Sequence, residues 1–469
     1  MTELNRLTAD DDLFWKVHRL YGPLLVVQLS WLFDEPLDRV TVERLHAHLA
    51  EGFLARRVVT TRVPLARPWW APARRAVPLD WQTIPVTPDE VPDWLAAQSD
   101  TEFDPSTGEV WKLSAAPIEE GGTVLSLVAS HVAVDGGGGL FGVADALRRL
   151  HADAPPDRAA SAGRLVGDGA AENPLRAHLT DAAAQVRAVL RGIRHAIAAR
   201  DVREPSRQPR PDLTTPTLDP SHMRALADSG ESSGPARPAA PVRFRPAELL
   251  VSVPAADWNR IAADNSGTAN GLMVAVAVGI LGRSGRVTDG EVRVEIPRSM
   301  RGLDDPRGNA TTGVAVGVPY RKGERTDLAL LRANTKRAVT AHDDPATTPP
   351  LQHLQPIQML LPDALTRRFV RTSKAPICLC TNLGDTAQLV AEIAGRRARA
   401  VVMRPVVRPG DPAFFRRTEA GLTTAYSSDG ETVTLAITGA DPDYFPDRET
   451  LRGYVAEELA AWDLRPGFW

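Results

Sequence analysis

A break in pattern governs what this chain can fold into. On both sides of residues 153–245, short apolar runs alternate with stretches of helical spacing; inside that interval the strand pattern stops. Before the break, Leu24 to Phe33, Val58 to Val63, Val110 to Pro117 and Thr123 to Ser130 read as strands. Their β-branched content and short length favour strands over helix segments. Asp38 is placed to cap a helix through about Glu51, with Val42, Leu45 and Leu49 as its apolar stripe. Pro92 to Ala97 reads as a short helix, and another closes the block near Leu150. Glu119-Glu120-Gly121-Gly122 fits a hairpin turn between two of the strands. After the break the same style returns. Strands are predicted at Ala247 to Val253, Val292 to Ile296, Val314 to Val318, Pro376 to Thr381, Ala400 to Met403, Gly421 to Tyr426 and Thr432 to Ile437. Helices are predicted at Ala255 to Asp264, Thr268 to Leu281, Asp327 to His342 and Asp447 to Trp462. Two α/β halves joined by a long connection are the expected architecture, with lobes at 1–152 and 246–469.

The connection itself, 153–245, holds one helical pattern, Pro174 to Ala199. Val186, Val189, Leu190, Ile193 and Ile197 fall on one face and Arg187, Arg191 and Arg194 on another. The Pro- and Gly-rich stretch from Glu204 to Pro241 reads as a crossing linker or loop.

Chemistry concentrates at one strand exit. The run Val124 to Ala129 leads into Ser130-His131-Val132-Ala133-Val134-Asp135-Gly136-Gly137-Gly138-Gly139, after which helical spacing begins. His131 and Asp135 therefore sit on a loop carried by a sheet edge, where function concentrates. The spacing suits a carboxylate that orients the loop, and no second His or Cys stands nearby to complete a metal pair. A phosphate-binding loop is a weaker reading, because no Lys-Ser/Thr follows the glycines. The glycines permit close backbone approach or positive φ.

Composition narrows the alternatives. The 469 residues carry a formal charge of −3, so there is no general electrostatic case for binding nucleic acid. The cysteines, Cys378 and Cys380, are two in number and would share one face of a strand, which makes neither a disulfide framework nor a zinc site. No basic and apolar leader opens the sequence and no run of about 18 apolar residues occurs, so a cytoplasmic protein with at most peripheral membrane contact is expected.

Six landmarks, in order, carry a resemblance to a known family. They are Phe14-Trp15 with Val26 to Leu37; Val110-Trp111-Lys112; Ser130 to Gly136; Gly267 to Gly271; Ile296 to Arg301 with Arg307-Gly308-Asn309; and Cys380 to Gly384. Together they resemble the bacterial wax ester synthase/diacylglycerol acyltransferase family. That family lies within the superfamily of chloramphenicol acetyltransferase and peptide-synthetase condensation domains. The resemblance implies an α/β fold of two acetyltransferase-like lobes forming a pseudo-dimer, with a tunnel between them. It implies transfer of an acyl group from acyl-CoA to a hydroxyl or amine, with His131 as general base and Asp135 ion-paired to an arginine. Arg301 is the first candidate for that arginine and Arg298 the second. Gly136, Gly137, Thr381, Asn382, Asn309 and Asn270 would shape the loop or bind substrate, Thr381 and Asn382 as donors to a developing oxyanion. No resident cofactor is implied; the co-substrate is acyl-CoA or an acyl carrier protein thioester. The partners implied are small acyl donors and acceptors, with a carrier protein as the alternative donor. Ser130 stands where the family has its first histidine and Gly271 where it has an aspartate. Those departures favour a tailoring enzyme on a specialised metabolite over storage-lipid synthesis, and keep a catalytically silent binding protein as a third reading.

Overall fold

The computed structural model describes residues 5–22, 24–119, 121–153, 174–201, 243–302, 305, 307–343, 355–372 and 374–469. The linker reading for Glu204 to Pro241 lies outside them.

The first half opens with α1 (Ala9–Tyr21), a helix that the sequence analysis did not predict. Its start is a capping box: the Thr8 hydroxyl accepts from the Asp11 N–H while the Asp11 carboxylate accepts from the Thr8 N–H. Next come β1 (Leu25–Phe33), α2 (Arg39–Ala50), β2 (Arg56–Val59), β3 (Trp69–Pro72), β4 (Asp80–Trp81) and α3 (Val91–Gln98). The block ends with β5 (Trp111–Pro117), β6 (Thr123–Ser130) and α4 (Gly136–His151). Asp38 caps α2 through the Thr41 N–H, as its position in the sequence suggests. β5 and β6 form a hairpin whose turn places Gly121 and Gly122 at φ of 97° and 92°, a region where only glycine is unstrained.

One long helix, α5 (Pro174–Asp201), follows. The second half contains β7 (Ala247–Pro254), α6 (Ala255–Asp264), α7 (Ala269–Arg283), β8 (Gly290–Ser299), β9 (Thr311–Tyr320), α8 (Leu328–Asp343), α9 (Gln355–Met359), α10 (Asp363–Thr372) and β10 (Cys378–Asn382). Two short strands, β11 (Glu392–Ile393) and β12 (Arg396–Arg397), precede β13 (Ala400–Val407) and α11 (Pro412–Thr418). The chain closes with β14 (Leu422–Ser428), β15 (Thr432–Gly439), α12 (Arg448–Ala461) and β16 (Gly467–Phe468).

These elements make two principal sheets, ordered β13-β1-β6-β5-β4 and β16-β7-β15-β14-β10-β8-β9. The architecture is mixed α/β, with a sheet in each lobe. In the first lobe α1, α2 and α4 cover one face of β1, which is buried along its whole length. In the second, α7 is almost wholly apolar and lies at the centre of the core, against α6, α12 and the sheet. The apolar run that predicted α7 is therefore a core helix. No single helix among the described residues is long and apolar enough to cross a membrane.

The lobes are not built from separate stretches of chain. β13 belongs to the second half in sequence, yet it pairs antiparallel with β1 as the edge of the first sheet. Strand alternation splits its side chains. Met403 and Pro405 lie opposite Leu29 and Val27, while Val402 and Arg404 lie opposite Ser30 and Gln28 on the other face. Val402 joins Leu32 and Val124 of the first sheet to Leu250, Ala425 and Ala436 of the second in one small core. Arg404 is 2% exposed and bridges the lobes, donating to the Gln28 Oε1 at 2.8 Å and meeting the Glu248 carboxylate at 3.0 Å. A buried guanidinium needs both partners, because an unmatched charge in the interior is far costlier than a matched one.

Glu248→Ala is thus expected to lower the unfolding free energy by about 3–5 kcal/mol, by stranding the buried arginine. The double replacement Arg404→Met with Glu248→Leu is expected to recover most of that loss. Urea unfolding of the three proteins measures both effects.

Candidate active site

β6 ends at Ser130, and the next five residues carry the chain from the sheet to α4. Asp135 is the N-cap of α4: its Oδ1 accepts from the Gly138 N–H at 2.6 Å. The glycines after it are helical and lie close to the other half of the chain, and none has positive φ. A Cβ on Gly138 would come to 3.0 Å from both the Arg301 guanidinium and the Gly308 carbonyl. On Gly136 it would press on Leu383 and Met403. Gly137 has more room, its nearest neighbour being the Arg301 Nε at 3.6 Å. Close approach, rather than unusual backbone angles, is what the glycine run serves here.

The Asp135 carboxylate is 4% exposed and is met from both lobes. Beyond Gly138, Arg301 donates to its Oδ1 at 3.0 Å, and the Ala310 N–H and Thr311 hydroxyl donate to its Oδ2 at 2.7 and 2.9 Å. Burial alone would raise this carboxyl; Arg301 and the N–H groups of Ala310 and Gly138 outweigh it and hold the group below the usual carboxylate range. Arg301 also ties down its own loop through the carbonyls of Asp305, Arg307 and Gly308. Arg298, the second candidate for this partnership, points elsewhere and pairs with Asp343 at the surface.

A second buried carboxylate supports the first. Asp11 of α1 is 0% exposed and accepts from the Asn309 backbone N–H and side-chain amide at 3.0 and 2.9 Å. The same Asn309 amide donates to the His131 carbonyl at 3.1 Å. Arg56, fully buried, donates to the Ala133 carbonyl, and burial lowers its pKa to about 10. Its guanidinium stacks over Trp70, whose indole N–H donates to Asp11. Trp70 is therefore packing beneath the loop. Asp11, Arg56 and Thr311 are the supporting residues that the sequence reading missed. Only Asp11 left a trace there, as the third residue after the helix-capping Thr8.

His131 is 7% exposed, with the Phe14 ring stacked on it at 4.1 Å between centroids and 22° between planes. It lines two cavities. The larger encloses about 1000 Å³, part of it open to solvent, and takes walls from both halves of the chain: Phe14, Val27 and Gly136 from one, Pro297, Gly313 and Thr381 from the other. The smaller is a shallow pocket, about 210 Å³ with its open solvent included, toward His18, Ser130 and Leu25. Strand alternation sorts β10 in the same way. Leu379 and Thr381 face the larger cavity, while Cys378 and Cys380 enter the core behind it with their sulfurs 3.8 Å apart. The neighbouring Cys378 and burial push the Cys380 thiol up, which leaves it an unreactive core residue. Asn382 does not line the cavity. Its amide donates to the Asn270 side chain at 3.0 Å and its carbonyl oxygen accepts from the Gly384 N–H, so this pair fastens β10 to α7. Thr381 is the one of the two placed for a ligand.

No family model matches this sequence, and no curated protein does. Solved structures do match. The first condensation domain of the CDA synthetase superposes over 98% of this chain and 96% of its own, with a TM-score of 0.55 and 15% identity. The starter condensation domain of rhizomide synthetase RzmA, solved in complex with C8-CoA, covers 98% and 94% with a TM-score of 0.54 and 13% identity. The condensation domain of Monacolin K polyketide synthase MokA covers 98% and 96% at 0.53 and 13%. This chain has the condensation-domain fold. The match covers 98% of this chain, and the two-lobed expectation holds.

Two carboxylates near the site respond to pH with opposite sign. Asp135, held below its unfolded pKa, contributes stability above about pH 4 that is lost as pH falls through its folded value. Asp10 is pushed up to about 7 by burial and by Asp11, only partly offset by Arg307. Its charging opposes folding, so stability falls as pH climbs from about 4 toward that value. Asp10→Asn is expected to flatten this decline and Asp135→Asn to remove the acid-side loss at a lower overall stability. Urea midpoints read across the pH range check both.

Proposed function

We propose that this chain is an acyltransferase in which His131 serves as general base for transfer from a thioester to a hydroxyl or amine. The observation that carries the proposal is one buried imidazole on the wall of a large, mostly apolar cavity lined by both lobes, with a second, small pocket also touching it. An imidazole can take a proton from the acceptor and later return it, which is the task of a general base. The acceptor oxygen or nitrogen attacks the thioester carbonyl carbon, the C–S bond breaks, and the imidazolium proton passes to the departing thiolate. Atoms balance with no covalent enzyme intermediate, which fits cysteines that lie in the core.

The larger cavity sets the substrate class. Its walls are mostly apolar, with Leu25, Val27, Leu379 and Met403 among them, and suit an acyl chain. Thr311 and Thr381 add hydroxyls, and Thr381 is our candidate donor to the oxyanion. The condensation-domain structure solved with C8-CoA, that of an RzmA variant, is a protein of this fold holding such a thioester. It supports acyl-CoA as the donor here, with a carrier-protein thioester as the alternative. The sequence motifs favour the wax ester synthase/diacylglycerol acyltransferase branch. Ser130 at the first motif position favours a specialised acceptor over a storage lipid.

Asp135 and Arg301 are positioning residues in this scheme. Their bonds hold the loop that carries His131 and leave the carboxylate no spare lone pair directed at substrate.

Thiol release from acyl-CoA in the presence of an alcohol or amine acceptor is expected to fall by about 10²–10⁴-fold in His131→Ala, with the folded state retained by circular dichroism. Equal rates in wild type and variant, with both folded, would remove His131 from the chemistry. Transfer seen only from a pantetheinylated carrier would assign the donor to the carrier class.

A further inference from the structure

The long connecting helix α5 is docked the wrong way round for a soluble amphipathic helix. Its polar residues face the protein: His178, Asp181 and Gln185 are buried at 8%, 8% and 6% exposure. Asp181 accepts from the Arg67 backbone N–H and guanidinium at 2.7 Å each, and Arg6 bonds the His178 ring at 3.0 Å. Its large apolar residues face outward instead. Leu175, Leu179, Val186, Leu190 and Ile193 are 58%, 56%, 40%, 57% and 38% exposed. They make up five of the thirteen exposed large hydrophobic side chains among the described residues. At 3.6 residues per turn they fall within roughly 60° of arc and run about 27 Å along the axis. Arg187, Arg191 and Arg194 form an exposed row immediately to one side of that stripe. Asp181 is the only acidic side chain described on the helix, and it is occupied by Arg67.

We propose that α5 is a docking surface for an anionic lipid interface. An apolar stripe flanked by a row of arginines is what the boundary between headgroups and acyl chains matches: aliphatic side chains enter the acyl edge while guanidiniums meet phosphate. The stripe is purely aliphatic, without the aromatic anchors of a protein interface. Five such side chains fall well short of the roughly 800 Å² a side that a stable protein complex buries. The chain as a whole is slightly acidic at −3, so the row is a local feature of this helix and not a property of the whole surface. The contact also has a route to the site. α5 packs on α9, whose Gln358 and Met359 carbonyls accept from Lys16 of α1, the helix that lays Phe14 on His131. The proposal stands on exposure and charge, and it does not require the acyl-transfer reading.

Co-sedimentation of the full chain with vesicles tests it. One set is phosphatidylcholine alone and the other has a third of it replaced by phosphatidylglycerol. The protein is expected to pellet with the second set and not the first, and less so as salt rises. Arg187→Gln with Arg191→Gln and Arg194→Gln is expected to weaken partitioning on the order of 100-fold. Leu179→Asn with Leu190→Asn is expected to weaken it at least about tenfold. Both variants change exposed side chains, so urea midpoints are expected to stay put. Absence of pelleting with anionic vesicles overturns the proposal, as does pelleting that neither variant alters. A wild-type dimer that the leucine variant converts to monomer also overturns it, by assigning the stripe to a second copy of this chain.

Discussion

Taking a carboxylate out of water is unfavourable unless the protein replaces the lost hydration, and at Asp135 part of the replacement comes from residues 175 and 176 positions further along the chain. One oxygen caps its own helix and meets Arg301; the other is held by Ala310 and Thr311 from the opposite lobe. The loop between β6 and α4 therefore takes its final shape only when the lobes are together. His131 sits four residues earlier on that loop, and its carbonyl is tied to Asn309 by the same stretch of the second half. Asp11 then extends the pattern to α1, since it holds Asn309 from a third direction. Two buried carboxylates thus orient one imidazole without either having to touch a substrate.

The crossing of β13 into the first sheet answers a different requirement. A cavity between two lobes is useful for chemistry only if the walls keep a constant separation. Hydrogen bonding β13 to β1 makes one wall continuous across the seam, and Arg404 locks it to Glu248 on β7. Met403, Arg404 and Pro405 line the cavity from that strand, while Val402 packs in the small core behind it. A single strand supplies both the lining and, through Arg404, the clamp onto Glu248.

Much of this was readable in advance, and for identifiable reasons. Local signals were reliable where a residue acts on its own neighbours. Asp38 and Asp447 cap the helices they precede, the glycines near 121 turn the hairpin, and Cys378 and Cys380 share the core face of one strand. Signals failed where the cause is distant in the chain. Val58 to Val63 was read as a strand, but pairing with β3 extends only over Arg56–Val59. β8 and β9 run longer than their apolar cores because they pair with each other to Ser299 and Thr311. In the motif, Arg298 and Arg301 were equivalent as charges near a matching loop; the direction of the chain after β8 sends one to Asp343 and the other to Asp135. Thr381 and Asn382 were adjacent candidates, and strand alternation alone separates the residue in the cavity from the one tied to α7.

Taken alone, the amino-acid order determined the α/β character, the two halves, and the position of His131 at a strand exit ahead of a capped helix, because those follow from periodicity and from contacts within a few residues. Only the tertiary structure decided which arginine meets Asp135, which strand closes the first sheet, and that His131 lines a cavity walled by both lobes. It also decided that α5 would turn its leucines outward, because the ion pairs of Asp181 with Arg67 and Arg6 set how the helix is rolled and lie more than a hundred residues apart in the chain.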